Sequence, residues 1–351
     1  MGYMKRLIDD VLERESASGT VPSAGMNGVG KRTAQGHAAG RVLTLSNASY
    51  SPDAVPRLLM RPMSLFESGD SSGDVSLGAL FDGRDEVSGT NPVDIERLAF
   101  LCYRGGWPET PGLDRRDALK YTEKLYFNAV TGKILRSGAA RYPGKLKAFI
   151  ASYARSTGTA AGCRALADGC AESAVSLNTA RSYVSALENI YAVENLPAWK
   201  PVLGSRTAVR TSPTRYFSDP SIAVQALGTG PAALVKDSRT LGFIFETMCI
   251  RDLRVYADAI DGRVYHYRDK TELECDAVVV LGDGRYGLIE IKLGGGSRVE
   301  EGAENLKKLR DRLDTRVMNE PSFLMVLTGI PKYAYRRLDG VFVVPLGCLR
   351  N

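Results

Sequence analysis

The sequence predicts an α/β chain, and three patterns carry that expectation. Between Glu274 and Leu293 two apolar, alternating runs flank Gly282-Asp283-Gly284, a hairpin signature, because glycine tolerates the positive φ of a tight turn. Between Ile95 and Ile190 apolar residues recur three and four apart, the period of amphipathic helices. Near the start, Gly25-Met26-Asn27-Gly28-Val29-Gly30-Lys31-Arg32-Thr33 comes close to the phosphate-cradling pattern G-x-x-x-x-G-K-[ST]. A length of 351 residues suits two or three domains, and the pattern changes divide the chain at 1–92, 93–205 and 206–351.

Taken in order, Tyr3 to Arg14 reads as an amphipathic helix through Leu7, Ile8, Val11 and Leu12. The segment 16–48 is rich in Gly, Ser and Ala and short of large apolar residues. Leu58 to Phe66 reads as strand or turn, and Ser68 to Val75 as a loop. Helices follow at Ile95–Tyr103, stopped by Arg104-Gly105-Gly106-Trp107-Pro108, then at Arg115–Val130, Lys145–Arg155 and Gly162–Cys170. Ser176 is placed to cap a helix over Leu177–Ile190. This helix–turn–helix succession suggests a winged-helix unit with Asn178–Asn189 as its recognition-like helix, although Arg181 is the one base it carries. After Arg215-Tyr216-Phe217-Ser218-Asp219-Pro220 come helices Ser221–Leu227 and Leu241–Tyr256, then strands Val264–Tyr267, Glu274–Leu281 and Tyr286–Leu293. A charged helix, Val299–Leu313, and strands Phe323–Thr328 and Val341–Pro345 close the chain.

Composition narrows the function classes. The 46 Lys and Arg against 40 Asp and Glu give +6, a mild basic bias compatible with DNA as a partner. Six scattered cysteines without a Cys-x-x-Cys pair, and two histidines, argue against zinc and for reduced thiols. No apolar run reaches the ~18 residues of a membrane span, so the expected setting is cytoplasmic with no membrane partner.

The glycine-rich loop departs from a working P-loop. Arg32 stands where the magnesium-ligating hydroxyl belongs, and Thr33 comes one residue late, about 100° around a helix start. Pro22 interrupts the strand that should lead into the loop. Gly25, Gly30, Lys31 and Thr33 are the residues that would cradle a nucleotide, but the pattern argues against ATP as a cofactor and against ATP hydrolysis.

The second candidate site is better formed. Glu290 and Lys292 lie two apart on one strand and share a face; Glu274 and Asp276 share a face on its hairpin partner. Glu246 sits in the apolar helix upstream. Chance supplies an acid-x-Lys triplet in a chain of this composition, and an exposed ion-paired hairpin is the plain alternative. Carboxylates on adjacent strands can hold Mg²⁺, and a lysine beside them can steady a nucleophile or developing charge. Asp276 and Glu290 are the candidate metal ligands, with the Ile291 carbonyl as a third. Glu246 completes the acidic shell and Lys292 serves the attacking water. Arg215, Arg251, Arg254 and Arg268 are candidates for phosphate contacts.

The order helix acid, strand Asp, Glu-x-Lys resembles the PD-(D/E)XK restriction-endonuclease-like superfamily. Further landmarks resemble a prokaryotic AAA+ ATPase family with a winged-helix region and a C-terminal domain of unknown function built on such a core. They include Tyr3-Met4-Lys5-Arg6-Leu7-Ile8-Asp9, Gly30-Lys31 and Arg61-Pro62-Met63-Ser64-Leu65-Phe66-Glu67-Ser68. Arg104-Gly105-Gly106-Trp107-Pro108, Pro197-Ala198-Trp199, Arg215-Tyr216-Phe217-Ser218-Asp219-Pro220 and Phe245-Glu246 follow. Glu274-Cys275-Asp276, Ile289-Glu290-Ile291-Lys292 and Asp339-Gly340-Val341-Phe342-Val343-Val344-Pro345 end the series. The resemblance covers the chain well from residue 57 onward. It implies a shortened ATPase remnant, because Ala34 to Pro56 alone separate landmarks that bracket the family's ATPase core. It further implies a metal-dependent phosphodiesterase acting on DNA. The alternatives are a non-catalytic DNA- or protein-binding module and a nucleotide-binding switch.

Overall fold

In a computed structural model, residues 6–16, 21–31, 42–44, 58–170, 173–203 and 209–351 are described. The chain is mixed α/β and divides into two compact units, each assembled from three segments. The first comprises Met1–Met63, Phe100–Asn195 and Arg215–Lys236; the second comprises Ser64–Ala99, Leu196–Thr214 and Asp237–Asn351.

In the first unit β1 (Val21–Ala24) lies between β2 (Val42–Thr44) and β3 (Leu58–Leu59) in a parallel sheet. The expectation that Pro22 spoils this strand is corrected: Pro22 pairs in register with Leu43. Proline lacks a single N–H donor, so the rest of the ladder still forms. A helical layer follows. Arg115–Leu125 continues through a π-helical turn, Tyr126–Thr131, into Gly132–Arg136, so the single predicted helix carries an inserted turn. Pro143–Arg155 packs on Cys163–Asp168, on Leu177–Asn189 and on Pro220–Leu227. Ser176 caps Leu177–Asn189 as expected, its side chain accepting from Thr179 N at 3.2 Å. That helix buries Ala180, Tyr183, Val184 and Leu187 and leaves Arg181 exposed.

Two sequence landmarks meet here. Asp219 caps Pro220–Leu227 and is fully buried; its Oδ2 accepts from Gly106 N at 2.9 Å. Trp107 Nε1 donates to Ser221 Oγ at 3.0 Å. Gly105 has φ +72°, and a Cβ there would lie 2.4 Å from Asp219 Oδ1, which is why the turn needs glycine.

In the second unit β4 (Val75–Ser76) pairs in parallel with Leu349–Arg350, and the main body is a seven-stranded mixed sheet. Its strands are β5 (Gly89–Thr90), β6 (Gly262–Arg268), β7 (Glu274–Leu281), β8 (Tyr286–Lys292), β9 (Phe323–Thr328), β10 (Tyr333–Arg336) and β11 (Phe342–Pro345). They stand in the order β5-β10-β11-β9-β8-β7-β6. β6, β7 and β8 form the antiparallel meander, whereas β8, β9 and β11 run parallel. The Ser238–Ala259 helix precedes β6, and Ser297–Arg310 crosses between β8 and β9, giving the order α-β-β-β-α-β. β7 and β9 fall where the sequence predicts them; β5 and β10 are additional.

Candidate functional site

Register brings the acid–lysine set together. Ala277 pairs with Ile289, so Asp276 stands beside Glu290 on the adjacent strand. Asp276 Oδ2 accepts from Ile291 N at 2.7 Å, and Lys292 Nζ lies 3.0 Å from Glu290 Oε2. On the other side Glu290 pairs with Val326 and Lys292 with Thr328. Leu288, Leu324 and Val326 form a core cluster on this face with Val299, Ala303, Leu306 and Leu309 of the Ser297–Arg310 helix. The helix approaches closely at Gly302, where a Cβ would lie 3.4 Å from both Glu290 Cβ and Lys292 Cε.

Burial makes the charges expensive. Glu290 is 1% exposed, and its Oε1 has no hydrogen-bond partner among the described residues. Burial, then the Asp276 charge, pushes the Glu290 carboxyl well above the usual range, despite the opposing Lys292 ammonium. Burial likewise raises Asp276; Lys292, the Ile291 amide and a side-chain hydrogen bond with Glu290 oppose the rise, and Glu274 adds to it. Burial works to lower the Lys292 pKa, but Glu290 and Asp276 together outweigh it and hold the ammonium protonated. Asp276 and Lys292 are partly exposed, so the set reaches the surface.

Glu246 is half-buried on Ser238–Ala259, a helix that packs on β6, β7 and β8. Glu274, an exposed residue at the start of β7, also acts on Asp276 and Glu290. The shared face of Glu274 and Asp276 was its signal in the sequence. Among the described residues, no three His, Cys, Asp or Glu side chains gather as a metal cluster.

The expected phosphate arginines are mostly committed elsewhere. Arg251 is 2% exposed and pairs with buried Asp252 at 2.6 Å; Asp252 in turn accepts from Leu65 N at 2.9 Å. Burial, opposed by Arg251, pushes Asp252 up to about 6. Arg254 is buried too, because Ser238–Ala259 is enclosed over most of its surface. Arg268 pairs with Glu272 and Glu274, and Arg215 Nε donates to the Ala161 carbonyl.

The glycine loop holds its own lysine. Lys31 is buried, and its Nζ donates to Gly25 O at 2.6 Å and to Met26 O at 2.8 Å. Gly25 has φ +142°, and a Cβ there would lie 2.3 Å from Met60 O. The adjoining cavity, lined by Gly25, Met26, Arg61, Tyr191 and Glu194 among others, holds about 30 Å³, a water's volume. Arg61 closes its rim with a two-pronged bond to Glu194 at 2.9 and 2.7 Å. Thr33 lies outside the described residues.

Comparison with protein families matches two parts of the chain. Residues 95–233 match a domain of unknown function, DUF8612. Residues 241–349 match a second domain of unknown function, DUF4143, which is known in AAA-ATPase-associated contexts. No curated protein and no solved structure matches the chain. Among the described residues, no helix is long and apolar enough to cross a membrane.

Proposed function

We propose that the chain is a metal-dependent phosphodiesterase acting on DNA, with Asp276, Glu290 and Lys292 as its working groups. One observation carries the reading: two adjacent carboxylates, one buried with an unpartnered oxygen, face a single lysine. When all three ionise, negative charge is in surplus, which a divalent cation would relieve. Asp276 and Glu290 would hold Mg²⁺ or Mn²⁺, which supplies positive charge at a phosphate and lowers the pKa of a nearby water. Lys292 orients that water or neutralises charge that develops on the phosphate. The α-β-β-β-α-β order and the resemblance to PD-(D/E)XK nucleases support the same reading. The glycine loop, with its lysine turned onto its own carbonyls, is a remnant that does not turn over ATP.

The test is incubation of the protein with single- and double-stranded DNA and Mn²⁺ or Mg²⁺. Metal-dependent cleavage that disappears in Asp276→Ala is expected; cleavage that survives Asp276→Ala sinks the assignment. The Lys292–Glu290 ion pair, and the absence among the described residues of a gathered third metal-ligating side chain, favour one rival, a non-catalytic DNA-binding module. Metal-independent binding with a steep salt dependence and no cleavage would support that rival.

A further inference from the structure

We propose that Thr328 belongs to the same site and supplies a neutral oxygen to the hydrated divalent cation beside Asp276 and Glu290. The inference rests on the reading of this cluster as a cation site. Thr328 ends β9, as Lys292 ends β8, and the two are paired in parallel register. Paired residues point to one face, so Thr328 stands on the face of Glu290 and Lys292, diagonal to Glu290. Parallel strands β8, β9 and β11 all end on this side, and ligands of such sheets collect at the carboxyl ends.

Thr328 is fully buried, and its Oγ1 has no hydrogen-bond partner among the described residues. Its strand neighbours Met325, Val326 and Leu327 are apolar and fully buried, so valine would fill the position without a stranded hydroxyl. Buried polar groups without partners are uncommon and call for a ligand or water. Here two, Glu290 Oε1 and Thr328 Oγ1, lie on one sheet face around one lysine. Mg²⁺ and Mn²⁺ favour oxygen donors, so one hydrated ion accounts for both orphans, where no third carboxylate gathers among the described residues.

The test uses the metal-stripped full chain, with melting and Mn²⁺ titration by calorimetry on wild type, T328V, T328A, T328S and E290Q. Metal-free T328V should melt about 2–4 °C above wild type, because a stranded hydroxyl is removed. Its Mn²⁺ affinity, and that of T328A, should fall about tenfold, while T328S keeps the wild-type value. If wild type binds Mn²⁺, E290Q does not, and T328V and T328A bind as wild type does, the Thr328 assignment is overturned and the cation site stands. A metal-free T328V that melts below wild type also overturns it, since the hydroxyl would then have a structural partner. A wild type that does not bind Mn²⁺ removes the cation reading, and this inference with it.

Discussion

The glycine loop and the acid–lysine strand pair each present a lysine to a potential phosphate, and the two lysines are in opposite states. Lys31 donates to Gly25 O and Met26 O, while a Gly25 Cβ position lies against the Met60 carbonyl. Lys292 is matched to carboxylates that remain under-satisfied, with Glu290 Oε1 unpartnered. A lysine bound to its own carbonyls stabilises the loop that carries it. A lysine beside surplus negative charge stays protonated and leaves a demand for more positive charge. The resemblance to a phosphate loop thus resides in sequence, whereas the demand for a ligand resides on β7, β8 and β9.

The largest expected effect separates the two lysines directly. Lys292→Ala should lower metal-dependent DNA cleavage by about 10²–10³-fold, as loss of one charge-stabilising donor does elsewhere. Lys31→Ala should leave the cleavage rate within twofold, roughly the scatter expected of a residue with no role in the chemistry. Rates that respond equally to both would break the comparison.

Stability should respond in the reverse sense at the loop. Lys31→Met removes two charged hydrogen bonds and should cost about 1.5–3 kcal/mol, read by chemical denaturation. Adding MgATP should leave the melting temperature of wild type unchanged. A rise with ATP that Lys31→Met abolishes would restore the loop as a nucleotide site.

The pH dependence sharpens the acid side. Glu290 and Asp276 have folded pKa values raised above their unfolded ones. Their contribution is therefore fully present below the unfolded values, about 4, and is lost as pH rises through the folded ones. Metal-free protein should lose stability from about pH 4 upward by up to 1.4 kcal/mol per pH unit for each group titrating. Glu290→Gln should flatten that slope, and saturating Mn²⁺ should flatten it in wild type. The raised Lys292 pKa adds no slope in this window, since the ammonium is charged in both states. A metal-free slope identical in Glu290→Gln and wild type would remove the argument from burial.

The smallest effect concerns the helical layer. Ser176→Ala should cost about 1 kcal/mol through the lost bond to Thr179 N and leave cleavage untouched.

Local pattern determined a good deal by itself. Period-two alternation and the glycine turn set β7 and β8, and with them the shared face of Glu290 and Lys292. Ser176 announced its cap, and the helical period announced Pro143–Arg155 and Ser238–Ala259. Those features depend on neighbours within a few residues, so a linear reading reaches them.

Only the tertiary structure decided the rest, because it depends on partners far along the chain. It paired Lys292 with Thr328 and Glu290 with Val326, a parallel register that no local period encodes. It enclosed Arg251 against Asp252 and committed Arg268 to Glu272, which withdrew them from the phosphate contacts their charge suggested. It seated Pro22 in a central strand, and it turned Lys31 onto its own loop. The sequence determined which charged residues share a strand face; long-range packing determined which of those charges were left without a partner, and the unsatisfied ones mark the candidate site.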